Sequence, residues 1–331
     1  MKHKFLSKLL SSRFSSAGNY INYYSQIHKN PRLWHLILLA PMQIIRFQSA
    51  FVRIFPRIVR ALSLKSEPLA TEPSLPEISI FVACIEKDLY LLPEVLVNAV
   101  KNSLNPIRNI SVIVPRNTRI ELSNFKSIHE PIQFINEEEV ISESIRNKLM
   151  DRFEGRYGWV LQQLLTIIHV MKSDDSGILV INADTLILRP QVWLLENEVQ
   201  ILMESYEFHK PYYDFLRRFN LDERNFKSSH ITHHMLMQPK YLRKIYTEFI
   251  DEKFQDIEYF ADQIIKFSDP SETSPICVEF ELYALGMRTR YNSLVELRKF
   301  GNISVDKKNR EESNYTEFQN LNSISLHSYL S

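Results

Sequence analysis

Four short runs of branched and apolar side chains limit what this chain can fold into. They lie at residues 78–85, 110–115, 132–135 and 177–181, and helical apolar spacing covers about 91–101 and 157–171 between them. Strands that are apolar on both sides must be covered on both faces. Strand alternating with helix therefore predicts an α/β fold, with a mostly parallel sheet flanked by helices. In such sheets, ligands bind beyond the carboxyl ends of the strands. After Leu188 the spacing turns more helical, over about 191–203, 209–219, 240–250 and 257–267. Residues 234–237 read as an intervening strand, and the last thirty residues hold one or two short strands.

The first 66 of the 331 residues stand apart. They carry eleven Lys or Arg and no Asp or Glu, leaving 29 basic against 39 acidic residues in the remainder. The apolar run 33–40 stops at Pro41 and is too short to span a bilayer, which takes roughly 20 residues. Beyond it, Arg53, Arg57 and Arg60 share one side of a helix among Phe51, Val52, Ile54, Phe55, Ile58 and Val59. This predicts a basic amphipathic helical extension lying on an anionic membrane surface. A helical hairpin packed on the body or on a partner chain has the same pattern. Three prolines in 68–76 make residues 67–77 a linker to a body spanning 78–331. The body is net acidic and the arm is rich in large aliphatics, so nucleic acid is not an expected partner. Cys84 and Cys277 are too few for a disulfide framework and read as buried thiols in a reducing compartment. The expected location is therefore cytoplasmic, peripheral at the inner face of the plasma membrane. The six glycines form neither a dinucleotide fingerprint nor a phosphate loop.

Chemistry concentrates at a few places. The strand at 177–181 ends in Asn182-Ala183-Asp184-Thr185, two oxygen-bearing side chains one residue apart. Such a pair suits a hard cation, Mn²⁺ or Mg²⁺, with Asp184 as principal ligand and Asn182 adding an uncharged amide oxygen. The same residues also suit a plain polar turn. On the preceding helix Trp159, Gln162 and Gln163 share a face and offer a stacking surface and amides, either for a ligand or as core and braces. His230, His233 and His234 lack the companions a zinc site needs. On a strand, His233 and His234 point to opposite faces. Glu279 and Glu281 share a face if extended and diverge if helical. Lys87 and Asp88 follow the first strand, as ligand contacts or as a solvated loop pair.

Taken in order, Gly158-Trp159 with Gln162-Gln163, the Asn182–Asp184 strand end, His234-Met235, and Glu279-Phe280-Glu281-Leu282-Tyr283 resemble a bacterial family of glycosyltransferase-like proteins. The resemblance covers about 78–283. It implies a GT-A-like fold and a metal-dependent transfer of sugar from a nucleotide-diphosphate donor to a glycan or lipid-linked acceptor, as in polysaccharide biosynthesis. Asn182, Asp184 and His234 would then meet the metal. Lys87, Asp88, Trp159, Gln162, Gln163 and His233 would meet the donor, and Glu279 would be the base. The chain departs from the family pattern at three positions: Asn182 for Asp, Thr166 for Lys and Val278 for Ser. An alternative follows from these, a catalytically degenerate protein that binds sugar-nucleotide or glycan.

Overall fold

The computed structural model describes residues 75–205, 210–219, 221, 229–249, 251–253, 256–269, 271, 275–276, 278–306 and 321–327. The basic extension, nearly all of the linker and Cys277 lie outside them, while the Cys84 side chain is buried.

In chain order the elements are β1 (Ile78–Ala83), α1 (Leu92–Asn102), β2 (Ile107–Val114), β3 (Ile132–Asn136), α2 (Glu137–Val140), α3 (Glu143–Phe153) and α4 (Tyr157–Lys172). Then come β4 (Ile178–Ile181), β5 (Thr185–Ile187), β6 (Gln200–Glu204), α5 (Lys210–Leu216), β7 (His234–Met237), α6 (Pro239–Phe249) and α7 (Ile257–Phe267). The last are α8 (Phe280–Arg290), β8 (Val295–Lys299), β9 (Asn302–Asp306) and β10 (Ser323–His327).

The main sheet has the order β3-β2-β1-β4-β7, parallel except for β7, which runs antiparallel to β4. Side chains alternate between its faces, as the pleat requires. Ile80, Val82, Val112, Leu179, Ile181 and Leu236 pack on one side with α1, Trp193 and Phe300. Phe81, Ile113, Val180, Met235 and Met237 pack on the other, against α3, α4, α6 and α8. Each fully buried side chain of this size contributes roughly 1.5–3 kcal/mol, and β4 and β7 are buried along their whole length. The α6–α8 contact is close at Gly286, where a Cβ would fall 2.6 Å from Ile245.

The helix expected over 191–203 does not form. Val192, Trp193 and Leu194 are extended and buried beneath α1, and β6 pairs in parallel with β8. The apolar density there belongs to a chain covered on both sides, which periodicity alone does not separate from a helix. Asn105 holds this run open. Its Oδ1 accepts from the Trp193 and Leu194 amides, and its Nδ2 donates to the Pro76 and Leu194 carbonyls.

Two features of topology position the site. The chain runs outward from β1 to β2 and β3, then returns to the other side of β1 with β4. The carboxyl ends of β1 and β4 thus meet at a topological switch point. A small second sheet, β5-β10-β9, continues from β4 and sets β10 antiparallel to β5. The Leu326 amide donates to the Asp184 carbonyl at 2.8 Å, and the Thr185 and Ser325 hydroxyls meet at 2.9 Å. Residues near the end of the chain therefore stand beside the mouth of β4.

Candidate functional site

Asn182 leaves β4 with the parity of Val180, so its side chain turns toward the face covered by α4. There Gln162 Nε2 donates to Asn182 Oδ1 at 3.3 Å. Asn182 Nδ2 lies 3.4 Å from His233 Nδ1, and the Asn182 amide donates to the His233 carbonyl at 2.9 Å. Asp184 stands two residues further. Its Oδ2 is 3.0 Å from His327 Nδ1, and the His233 and His327 rings meet edge to face with centroids 4.7 Å apart. Asn182 and Asp184 are partly exposed, whereas both imidazoles are buried. A β4 end, a helix, a tight turn and the last strand thus converge on one spot.

The expected residues divide as follows. Gln162, His233, Asn182 and Asp184 come together. His234 does not join them: it shares the parity of Leu236, and its fully buried ring packs edge-on against Trp193 and Phe300 on the opposite face. Burial, with His233 adding to it, lowers its pKa to about 3, so the ring stays neutral. Gln163 is a brace, since its Oε1 accepts from the Val278 amide at 3.0 Å. Trp159 is half-buried and stacks on Tyr212 of α5, with centroids 5.9 Å apart and planes 5° apart. Lys87 is exposed and Asp88 buried, in a single 3₁₀ turn following β1.

Glu279 precedes α8 and Glu281 lies within its first turn, so the two diverge. Glu279 is buried beside Thr166 and His233, and its Oε2 has no hydrogen-bond partner. Burial pushes its pKa up to about 8, while His233 and the Thr166 hydroxyl pull the other way. Thr166, Val278 and Asn182 all lie around this carboxyl or its neighbour His233. Thr166 adjoins Glu279, Val278 precedes it and binds Gln163, and Asn182 contacts His233.

Among the described residues, no group of three or more His, Cys, Asp or Glu is placed to hold a metal ion. The donors at the mouth of β4 are the Asp184 carboxylate beside the His327 imidazole, and the Asn182 amide oxygen beside Gln162. Asp184 Oδ2 and His327 Nδ1 share a hydrogen bond at 3.0 Å, which a cation bound by both would replace. Magnesium-like ions are held this way, by one or two carboxylates with water and phosphate completing the shell. The set fits a cation shared with a phosphate-bearing ligand.

His327 was not legible in the sequence. It has no local motif, and it reaches Asp184 across 143 residues only through the β5–β10 pairing.

No protein-family model and no curated protein sequence matches the chain. Among solved structures, the chain is similar to galactosyltransferase LgtC in complex with donor and acceptor sugar analogs. That match has 10% identity and a TM-score of 0.41, over 75% of this chain and 86% of that one. It is also similar to the apo form of mouse xyloside xylosyltransferase 1, with 8% identity and a TM-score of 0.40, over 77% of this chain and 99% of that one. The reading of the site rests on its own residues.

Proposed function

We propose that the chain is a glycosyltransferase of GT-A-like build, moving a sugar from a nucleotide-diphosphate donor to a glycan or lipid-linked acceptor. One observation carries this reading. Asp184, His327, Asn182, Gln162 and His233 converge at the carboxyl end of β4, at the switch point of an open parallel sheet. Asp184 and His327, with Asn182 Oδ1, would hold Mn²⁺ or Mg²⁺. A bound cation there supplies charge neutralisation for a departing diphosphate. Gln162 and His233 would orient the donor from either side of Asn182, with Trp159, Lys87 and Asp88 as further proposed donor contacts. Glu279, as carboxylate, accepts the proton of the acceptor hydroxyl as that oxygen bonds to the anomeric carbon. The sugar–diphosphate bond breaks and nucleoside diphosphate leaves.

Asn182 favours a second reading, a binding protein that has lost turnover. Its amide adds no charge beside Asp184 and is already engaged by Gln162 and His233. One experiment separates the two. UDP, GDP and CDP with Mn²⁺ are expected to raise the melting temperature by mass action, in a manner that Asp184→Ala removes. Hydrolysis or transfer from the matching nucleotide-sugar supports the enzyme, and binding without turnover supports the second reading. The absence of any shift with all three removes both.

Among the described residues no helix is long and apolar enough to cross a membrane. The membrane proposal rests on residues 1–66, whose charge would hold the enzyme near a lipid-linked acceptor. The full chain is expected to co-sediment with phosphatidylserine vesicles and to release as salt rises, since screening shortens the reach of surface charge. Equal recovery with neutral vesicles would remove this part of the proposal.

A further inference from the structure

Glu281 is fully buried on α8, yet it is not part of the cluster around Asn182. Glu279 lies just before the helix, beside Thr166 and His233, whereas Glu281 meets Tyr213, Ser229 and His230. Its Oε1 accepts three hydrogen bonds, from the Tyr213 hydroxyl at 3.0 Å, the Ser229 hydroxyl at 2.7 Å and the His230 amide at 2.6 Å. Its Oε2 has none. A buried carboxylate satisfied on one oxygen only is a poor source of stability, because desolvation outweighs what the partners return. Burial accordingly raises its pKa despite the three donors.

The value of Glu281 lies in what it joins. Tyr213 belongs to α5, and its neighbour Tyr212 stacks on Trp159. Ser229 and His230 open the turn that ends at His233. That turn is closed by the Ile231 amide donating to Ser229 Oγ, the Thr232 amide to the His230 carbonyl, and the Thr232 hydroxyl to the His234 carbonyl. His233 itself has φ 62°, a left-handed conformation that a residue with a Cβ keeps only where its surroundings hold it. One end of the turn is tied to Asn182 and the other to Glu281. Arg288, seven residues along α8 on the same face, reaches His230 Nε2 at 3.1 Å. His230 Nδ1 meets the Met203 carbonyl at 2.9 Å. A single tautomer satisfies both contacts, with Nδ1–H donating and Nε2 accepting.

We propose that Glu281 is a positioning residue: by clamping α5 and the turn 229–233 onto α8, it fixes where His233 stands against Asn182. The effect on turnover rests on the transferase reading; the effect on His233 does not.

The test uses the full chain with ring-labelled histidine, and His233→Gln identifies the His233 resonance. In Glu281→Leu that resonance is expected to move, and in Glu281→Gln, which keeps an accepting oxygen, to return to its wild-type position. Should Glu281→Leu fail to fold, Ser229→Ala and Tyr213→Phe each remove one donor and are expected to move the resonance in the same direction. Where a UDP-, GDP- or CDP-sugar is turned over, Glu281→Leu lowers kcat by about a hundredfold, the scale of a misplacement near 1 Å. Glu281→Gln recovers most of that loss, and in a His233→Gln background Glu281→Leu adds no further loss. A His233 resonance unmoved in folded Glu281→Leu, or in both donor variants if it does not fold, overturns the clamp, as do losses that multiply in the double variant. No turnover by wild type, with the resonance moving as expected, sinks the transferase reading and leaves the clamp standing.

Discussion

Asp184→Ala is expected to lower sugar transfer by about a thousandfold, equivalent to about 4 kcal/mol of lost charge stabilisation, while leaving the fold intact. Asp184 is the carboxylate among the three proposed donors Asp184, Asn182 and His327, so its loss would leave a bound divalent cation without balancing charge from that set. Its side chain is partly exposed and lies outside the sheet core, so its removal opens no large cavity. Far-UV circular dichroism and the melting temperature check the fold, and donor turnover across a Mn²⁺ titration checks the loss. His327→Gln is expected to fall in the same direction by less, because the Asp184 carboxylate remains. A full rate in Asp184→Ala at every Mn²⁺ concentration would contradict the assignment.

Glu279→Gln has two expected effects of opposite sign. As the proposed base, Glu279 would work only when ionised, and with a pKa of about 8 the wild-type rate is expected to rise as pH climbs through about 8. Glu279→Gln flattens that limb and lowers the rate at pH 9 by about a hundredfold to ten-thousandfold, the range of general-base catalysis. Thr166→Val removes the neighbouring hydroxyl that favours the ionised form, so it moves the midpoint upward. Stability responds the other way. The carboxyl titrates near 4.5 when unfolded and near 8 when folded, so the folded state binds the extra proton between those values. Its contribution is fully present below about 4.5 and is lost as pH rises through 8, on the order of 5 kcal/mol by pH 9. Glu279→Gln cannot ionise. Its melting temperature is therefore expected to overtake that of wild type increasingly from pH 6 to pH 9. Parallel melting curves for the two proteins over that range would show that the carboxyl is not held neutral.

Much of the fold was legible because it is local. The β-branched runs at 78–85, 110–115, 132–135 and 177–181 name the buried strands, and the helices at 157–172, 239–249 and 257–267 follow from apolar spacing. Where periodicity failed, at 191–203, the apolar residues are buried all round and carry no helical phase. The pairing of Asn182 with Gln162 was legible as far as β4 and α4 extend, since the two meet across one strand–helix contact. Two other parts depend on distant chain. Choosing His233 over His234 needs the parity of β7 against β4, and His327 enters only through a second sheet closed by the last strand. Glu281 was ambiguous for a simpler reason. Alternating glutamates suit a strand as well as a helix start, and only the helix separates Glu279 from its neighbour.

The central claim is that the mouth of β4 holds a divalent cation together with a diphosphate. It is tested most directly by electron paramagnetic resonance of free Mn²⁺ titrated with wild type and with Asp184→Ala, at fixed UDP, GDP or CDP. With at least one nucleotide, wild type is expected to remove the free-ion signal at concentrations about tenfold lower than the variant does, the scale of one lost charged contact. Identical titrations for the two proteins with all three nucleotides would contradict it.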